Sequence, residues 1–385
     1  MMSGLRTKQK SRVDDIVEFG KTKLHTCTML SLCNPPPYLR SRSTRATLIR
    51  RCRSYWTGLN VWRKNPINDN RSWGQTGPSP SLSPSPPFDL PSTPSSLAEW
   101  GALVLSTPDP VLKSHLSHMA FTSFISDSLP IGIASAPLRP ARPSKPPLVE
   151  VREVPTQKES GLPLNAYMLH SLAHIELNAI DLAWDTVVRF SDLRSVLGDG
   201  FFADFARVAD DESRHFGWCS QRLEELGFQY GDVASHDFLW KECARTSSDV
   251  APRLAIVPLV QEARGIDAGP RLVKKISGFG DNRTAKIVSK IADEEVAHVG
   301  VGVYWFVQVC EKMNWTPRTA FRTILQEFGV EPKGPFNHAG RSLAGIPRDW
   351  YDPPHSSPPP PPQSFLSEVE YMLASIISLE KANIE

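Results

Sequence analysis

Two short stretches constrain this chain more than anything else in it: DDESRHF at 210–216 and ADEEVAHVG at 292–300. Each places a glutamate three residues before a histidine, Glu212 with His215 and Glu295 with His298, inside a run with the apolar periodicity of a helix. At 3.6 residues per turn the members of each pair share a face. A carboxylate and an imidazole side by side on an inward face make half of a two-metal site, so the fold must supply the other half. Glu176 in HSLAHIELNAIDLAWD and Glu262 in LVQEARGID lie in further apolar-periodic segments. The chain order is therefore Glu, ExxH, Glu, ExxH over four predicted helices.

The spacing repeats. Glu176 precedes Glu212 by 36 residues and Glu262 precedes Glu295 by 33, whereas 47 residues separate His215 from Glu262. Two helix pairs joined by one long connection account for that pattern, and the ligand order is the one used by ferritin-like di-iron and di-manganese bundles. The expected fold is all-α: a ferritin-like four-helix bundle with a crossover connection and irregular N- and C-terminal flanks. The spacing predicts its helices over about 163–190, 200–226, 252–265 or beyond, and 282–312, with Gly227 a natural stop and a crossover at 228–250 that includes a helix through FLWKECART. Leu169, Leu172, Ile175, Ala179 and Ala183 fall on the core side of Glu176. Pro258, one turn before Glu262, removes a backbone hydrogen bond, which either restarts the third helix or bends it so that a coordination position opens.

Composition sets the boundaries of that core. Most of the 35 prolines lie outside residues 160–330, which argues for one folded domain with loose flanks. Residues 1–95 lack periodicity and end in GPSPSLSPSPPFDLPSTPSS; they are expected to be a disordered basic and Pro/Ser-rich segment. The domain is expected over 96–352: lead-in helices and a proline-punctuated strap across the outside at 96–160, the bundle at 161–312, and a packed tail at 313–352. A Pro-rich linker and an amphipathic helix are expected at 353–385. The first 63 residues carry +10, leaving −8 for the rest of a chain whose net charge is +2, and an acidic body does not favour a nucleic-acid partner. Six cysteines without a CxxC suggest a reducing compartment, and no apolar run is long enough to span a membrane. The expected location is cytoplasmic. The basic beginning also invites a mitochondrial transit reading, against which Asp14, Asp15 and Glu18 stand.

Four glutamates and two histidines form a hard, oxygen-rich set suited to iron or manganese rather than structural zinc. Four carboxylates and two divalent ions sum to zero charge, whereas an empty site would bury like charges. Asp211 and Glu294 stand one residue before the glutamates of the two ExxH motifs, where each could fix the tautomer of a histidine, its own or one across the bundle. Arg214 could hold such an acid in place, although an exposed i,i+3 pair with Asp211 is the simpler expectation. His174 lies on another face from Glu176 and reads as packing. Trp184, Trp218, Trp240 and Trp305 read as core.

HSLAHIELNAIDLAWD, FARVADDESRHFGWC, the YGD and LW of YGDVASHDFLW, LVQEARGID and EEVAHVG resemble an uncharacterised ferritin-like family, a domain of unknown function, as do the ARP and PLVEVREVP strap and GPFN. The resemblance covers residues 97–352 and implies a dinuclear carboxylate site at Glu176, Glu212, His215, Glu262, Glu295 and His298. DESRH also looks like an element of di-iron oxidases, and the ligand order is similar to that of a tRNA-modifying hydroxylase. The resemblance implies an oxygen-activating oxidoreductase with two iron ions, or iron and manganese, that hydroxylates or desaturates a small-molecule or carrier-bound substrate. Such an enzyme needs an electron-donor partner and could form a homo-oligomer. Iron oxidation, storage or peroxide handling without an organic substrate is the rival, and a helical interaction scaffold the third reading.

Overall fold

The structure, a computed structural model, describes residues 57–80 and 92–352. The amphipathic stretch expected at 353–385 and the transit reading of residues 1–56 fall outside them. The described residues are mostly helical, and their four strands are two residues long each.

Capping side chains and prolines fix where the helices begin. Helix α1 (Leu97–Ser106) starts at Ser96, whose hydroxyl accepts from the Glu99 amide. Helix α2 (Pro110–Ser126) starts at Asp109, whose carboxylate accepts from the Leu112 amide, with Pro110 in the first turn where its missing N–H costs nothing. These two lead-in helices pack against the first long pair, α3 (Leu164–Arg189) and α4 (Asp199–Glu225). Helix α5 (Phe238–Arg245) lies in the connection between α4 and the second pair. The proline strap is tied to that connection: Leu148–Val149 pairs in parallel with Ser235–His236.

The second pair is less regular. Helix α6 (Val250–Ile256) runs into a π-helical segment, Val257–Glu262, and then into α7 (Ala263–Gly278). Pro258 sits in the first turn of the π segment, so the break that proline imposes is absorbed by widening the helix one turn before Glu262. Opposite it runs α8 (Asn282–Lys312), the longest helix, capped by Asp281, whose carboxylate accepts from the Thr284 amide. Gly302 of α8 faces Pro258 so closely that a Cβ there would stand 2.3 Å from the proline ring. Only glycine lets the π segment seat at that depth. Helix α9 (Pro317–Phe328) and single turns at His338–Leu343 and Arg348–Tyr351 complete the tail.

One apolar core runs through both pairs and into the lead-in helices, with Trp100, Trp184, Trp218, Phe201, Phe202 and Phe306 fully buried. The four tryptophans read as core, Trp184, Trp218, Trp240 and Trp305, are all buried. Among the described residues no helix is long and apolar enough to cross a membrane.

The expectation of disorder throughout 1–95 is corrected over 57–80. This segment lies against α4: Arg63 pairs with Asp204, Arg71 with Asp210 at 2.9 Å, and the Trp218 indole donates to the Asn70 carbonyl at 3.1 Å. Trp62 and Trp73 are buried and extend the core. Aromatic anchors and arginine clamps, rather than helical periodicity, order these residues.

Candidate metal centre

The long helices bring five of the six candidate ligands into mutual contact and place the sixth beside them. Glu176 comes from the middle of α3, Glu212 and His215 from α4, and Glu295 and His298 from α8. Ligand atoms of Glu176, Glu212, His215 and Glu295 all lie within 4.8 Å of one another. The two imidazoles face each other at 5.6 Å between ring centres, and both turn Nδ1 inward. Nδ1 of His215 is 3.2 Å from Glu176 and 3.4 Å from Glu212, and Nδ1 of His298 is 2.8 Å from Glu212. Glu295 Oε1 stands 3.7 Å from one imidazole and 3.6 Å from the other. Glu212 and Glu295 thus sit between the two histidines. Glu262, at the end of the π segment, lines the same cavity wall as Glu176, Glu212 and Glu295.

Each histidine is held from behind by an acid on the opposite long helix. His215 Nε2, on α4, is 2.7 Å from Glu294 on α8; His298 Nε2, on α8, is 3.4 Å from Asp211 on α4. The choice left open by the sequence therefore falls on the partner across the pair. Arg214 ties the two acids together, donating to Asp211 at 2.7 Å and to Glu294 at 2.8 Å from a side chain that is 1% exposed. This corrects the expectation of an exposed i,i+3 pair: the pair with Asp211 exists, but it is buried and is half of a bridge. The segment 57–80 backs the same network, with the Trp62 indole donating to Asp211 at 3.3 Å. No spacing rule points to Trp62. The signal was the density of tryptophan at 56, 62 and 73 in an otherwise polar stretch.

The electrostatics follow from burying this many charges together. Burial and the neighbouring Glu212 push Glu176 well above the usual carboxylate range. Burial, with Glu212 and Glu295 nearby, pushes Glu262 up to about 8. Burial would depress His215, yet its contacts with Glu176, Glu212 and Glu294 raise it well above the ordinary imidazole value; His298 is raised by Glu212, Glu295 and Asp211 against the same opposition. Arg214 and His298 outweigh burial to bring Asp211 down to about 2. In an ion-free cluster, protons stand where cations would otherwise balance the carboxylates.

The donor set fits a pair of hard divalent ions. Glu212 Oε2 and His298 Nδ1 are buried and make no hydrogen bond, so an acceptor oxygen and an imidazole nitrogen converge with coordinating capacity unused. With Nε2–H donating outward to Glu294 or Asp211, each ring presents the lone pair of Nδ1 inward, the arrangement that orients and strengthens a histidine ligand. His174, in contrast, is satisfied: its ring nitrogens lie 2.8 Å from the Tyr230 hydroxyl and 2.8 Å from the His236 carbonyl. It packs, as its helix face implied.

Beside the carboxylates is a cavity of about 130 Å³. Apart from the four glutamates its wall is mainly apolar, with Met168 and Leu172 from α3, Leu272 from α7, and Val288 and Ile291 from α8. Leu172, Ile175 and Ala179, which the sequence places on the core side of Glu176, line this cavity.

A family model described as "Protein of unknown function (DUF455)" matches residues 106–352. The chain belongs to this family. An uncharacterized protein of Haemophilus influenzae is 37% identical over 217 residues, covering 54% of this chain and 75% of the relative. No solved structure matches. The family match begins at residue 106, so Trp62, Arg63 and Arg71, which brace the cluster from behind, lie outside it.

Proposed function

We propose that the protein is a ferritin-like, dinuclear carboxylate oxidoreductase that activates oxygen and hydroxylates or desaturates an organic substrate. The observation that carries this reading is a buried cluster of carboxylates and two imidazoles whose four glutamates form part of the wall of a mainly apolar cavity. A ferrous-iron channel would need polar walls to carry a hydrated cation, whereas this wall suits a hydrocarbon.

Glu176, Glu212, His215, Glu262, Glu295 and His298 would hold two iron ions, or iron and manganese, with Glu212 and Glu295 standing between the two histidines. The bound ions would supply the electron transfers to oxygen that let a C–H bond be broken. The chain's own residues do the rest. Glu294 and Asp211 accept the Nε2 protons of His215 and His298, which fixes the tautomer that turns Nδ1 inward. Arg214 keeps both acids ionised and in place. Met168, Leu172, Val288 and Ile291 exclude water from the cavity face, so that the oxidising chemistry meets substrate and not solvent. An electron-donor protein is part of the proposal, since turnover requires the metals to be re-reduced. A reducing, cytoplasmic setting suits Cys219, Cys243 and Cys310, which are buried and unpaired.

Anaerobic titration with ferrous iron followed by exposure to oxygen tests the reading. The expected result is uptake of about two ions per chain, then oxygen consumption that stops when those ions are oxidised. Continued oxidation of excess ferrous iron in many turnovers per chain would favour iron handling. A folded protein that takes up no iron would leave a helical scaffold.

A further inference from the structure

The cavity has a shape as well as a polarity, and the shape names a substrate class. On α3 its lining residues recur along one stripe, Met168, Leu172, Ile175 and Ala179, with Glu176 among them. On α7 they run from Gly265 through Ala268 to Leu272, and on α8 from Glu295 back to Val288. From the glutamates, Met168 is eight residues away, Leu272 ten and Val288 seven, which at 1.5 Å per residue makes a passage about 10–15 Å long. The lining continues past Glu176 to Ala179, Leu182, His236 and Leu239, so a volume of about 130 Å³ is shared over more than that length and the bore is narrow. Met168, Leu272 and Val288, which pack in a cluster with Ile276 and Ala285, close its far end.

We infer that this bore receives an unbranched, uncharged aliphatic chain whose length is measured between the carboxylate cluster and the Met168–Leu272–Val288 plug. At about 1.3 Å of advance per tetrahedral carbon, the shorter estimate of the passage takes about eight carbons. The volume sets the tighter limit: an apolar cavity of about 150 Å³ holds the six carbons of benzene, so this one takes about five or six carbons of a chain and has no room for a fused ring system. Charge agrees as well. Of the lining side chains nearest the plug none is ionisable; the charged ones are four glutamates and Arg264, two residues from Glu262, an excess of acid that disfavours an anion unless cations neutralise it. The inference rests on the proposed function only for the reaction performed on the chain; occupancy of the bore is a separate property.

The test is equilibrium binding of the linear alcohols from butanol to decanol to the full-length protein, by calorimetry, with cyclohexylmethanol as the compact control. Each methylene added up to about hexanol tightens binding about fourfold, the equivalent of about 0.8 kcal/mol, and affinity then levels off. Leu272→Ala moves the levelling point to a longer chain. Ala268→Phe, which projects a ring into the bore six residues from Glu262, weakens hexanol binding at least about tenfold while the bound metal is unchanged. Absence of chain-length dependence, equal affinity for cyclohexylmethanol, or wild-type binding by Ala268→Phe overturns the inference. Metal is counted on the same samples. Two bound ions without chain binding sink the bore and leave the oxidoreductase; chain binding without metal does the reverse.

Discussion

Glu176 and Glu262 hold equivalent places in the chain order, each ahead of an ExxH helix, yet their surroundings differ. Glu176 stands on the unbroken α3 and touches His215 at 3.2 Å. Glu262 ends the π segment behind Pro258, and the cavity reaches it. Both halves line the cavity, but α4 of the first is backed by α2 and the segment 57–80, whereas the second turns on the widened π segment. The difference teaches that a near-symmetric ligand set can make an asymmetric site, because one proline and the glycine opposite it shift a single helix turn. It also separates two surroundings: braced acids stand behind the histidines, and the widened turn carries Glu262 at the cavity wall.

Removing the brace should have the largest effect. Arg214→Met leaves Asp211 and Glu294 buried without their shared cation and is expected to lower stability by about 3–5 kcal/mol in a denaturant titration. A loss under about 1 kcal/mol would mean that the bridge does not hold the two halves together. The asymmetry is then sharpened by a pair of isosteric changes. Glu176→Gln should weaken metal binding on the order of 100-fold and Glu262→Gln only about tenfold, read by competition with a chelator; equal losses would erase the distinction between the halves.

Acid sensitivity should belong to the first half. Burial depresses His170 to about 4 and His174 to about 3, both on α3, and His236 in the connection to about 4. The unfolded chain takes up protons below about pH 6.5 that these folded imidazoles refuse, so stability is complete above that pH and falls as pH drops toward 4. Each group contributes a slope of at most about 1.4 kcal/mol per pH unit. His170→Gln should flatten the fall in melting temperature between pH 7 and 5; an unchanged slope would show that His170 is protonated in the fold. The smallest effect is expected at Trp62→Phe, which keeps the aromatic packing and loses the long hydrogen bond to Asp211. It should cost about 1 kcal/mol and weaken metal binding severalfold; identical metal affinity would detach the segment 57–80 from the site.

Much of this arrangement was legible in the sequence because it is local. The bounds of α8 follow from Asp281 as cap and the apolar repeat up to Lys312, and the i,i+3 pairs follow from helical geometry alone. His174 was read as packing from its face. What was not legible depends on distance in the chain. A spacing of four offers Asp211 to His215, and nothing in DDESRHF says that it serves His298 instead. Arg214 reads as exposed until both acids that surround it are known. Residues 57–80 have no period because two tryptophans and two arginines reach across to α4 from an irregular backbone. Pro258 announced a restart or a bend; the widened turn that forms instead depends on Gly302 on another helix.

Metal content tests the central claim most directly. Full-length protein expressed in iron-replete cells should carry about two iron or manganese ions per chain by elemental analysis, and Glu212→Ala combined with Glu295→Ala should carry none while keeping its helical circular dichroism. Wild-type protein that is folded yet holds no iron or manganese, or a double variant that holds as much as wild type, would contradict it.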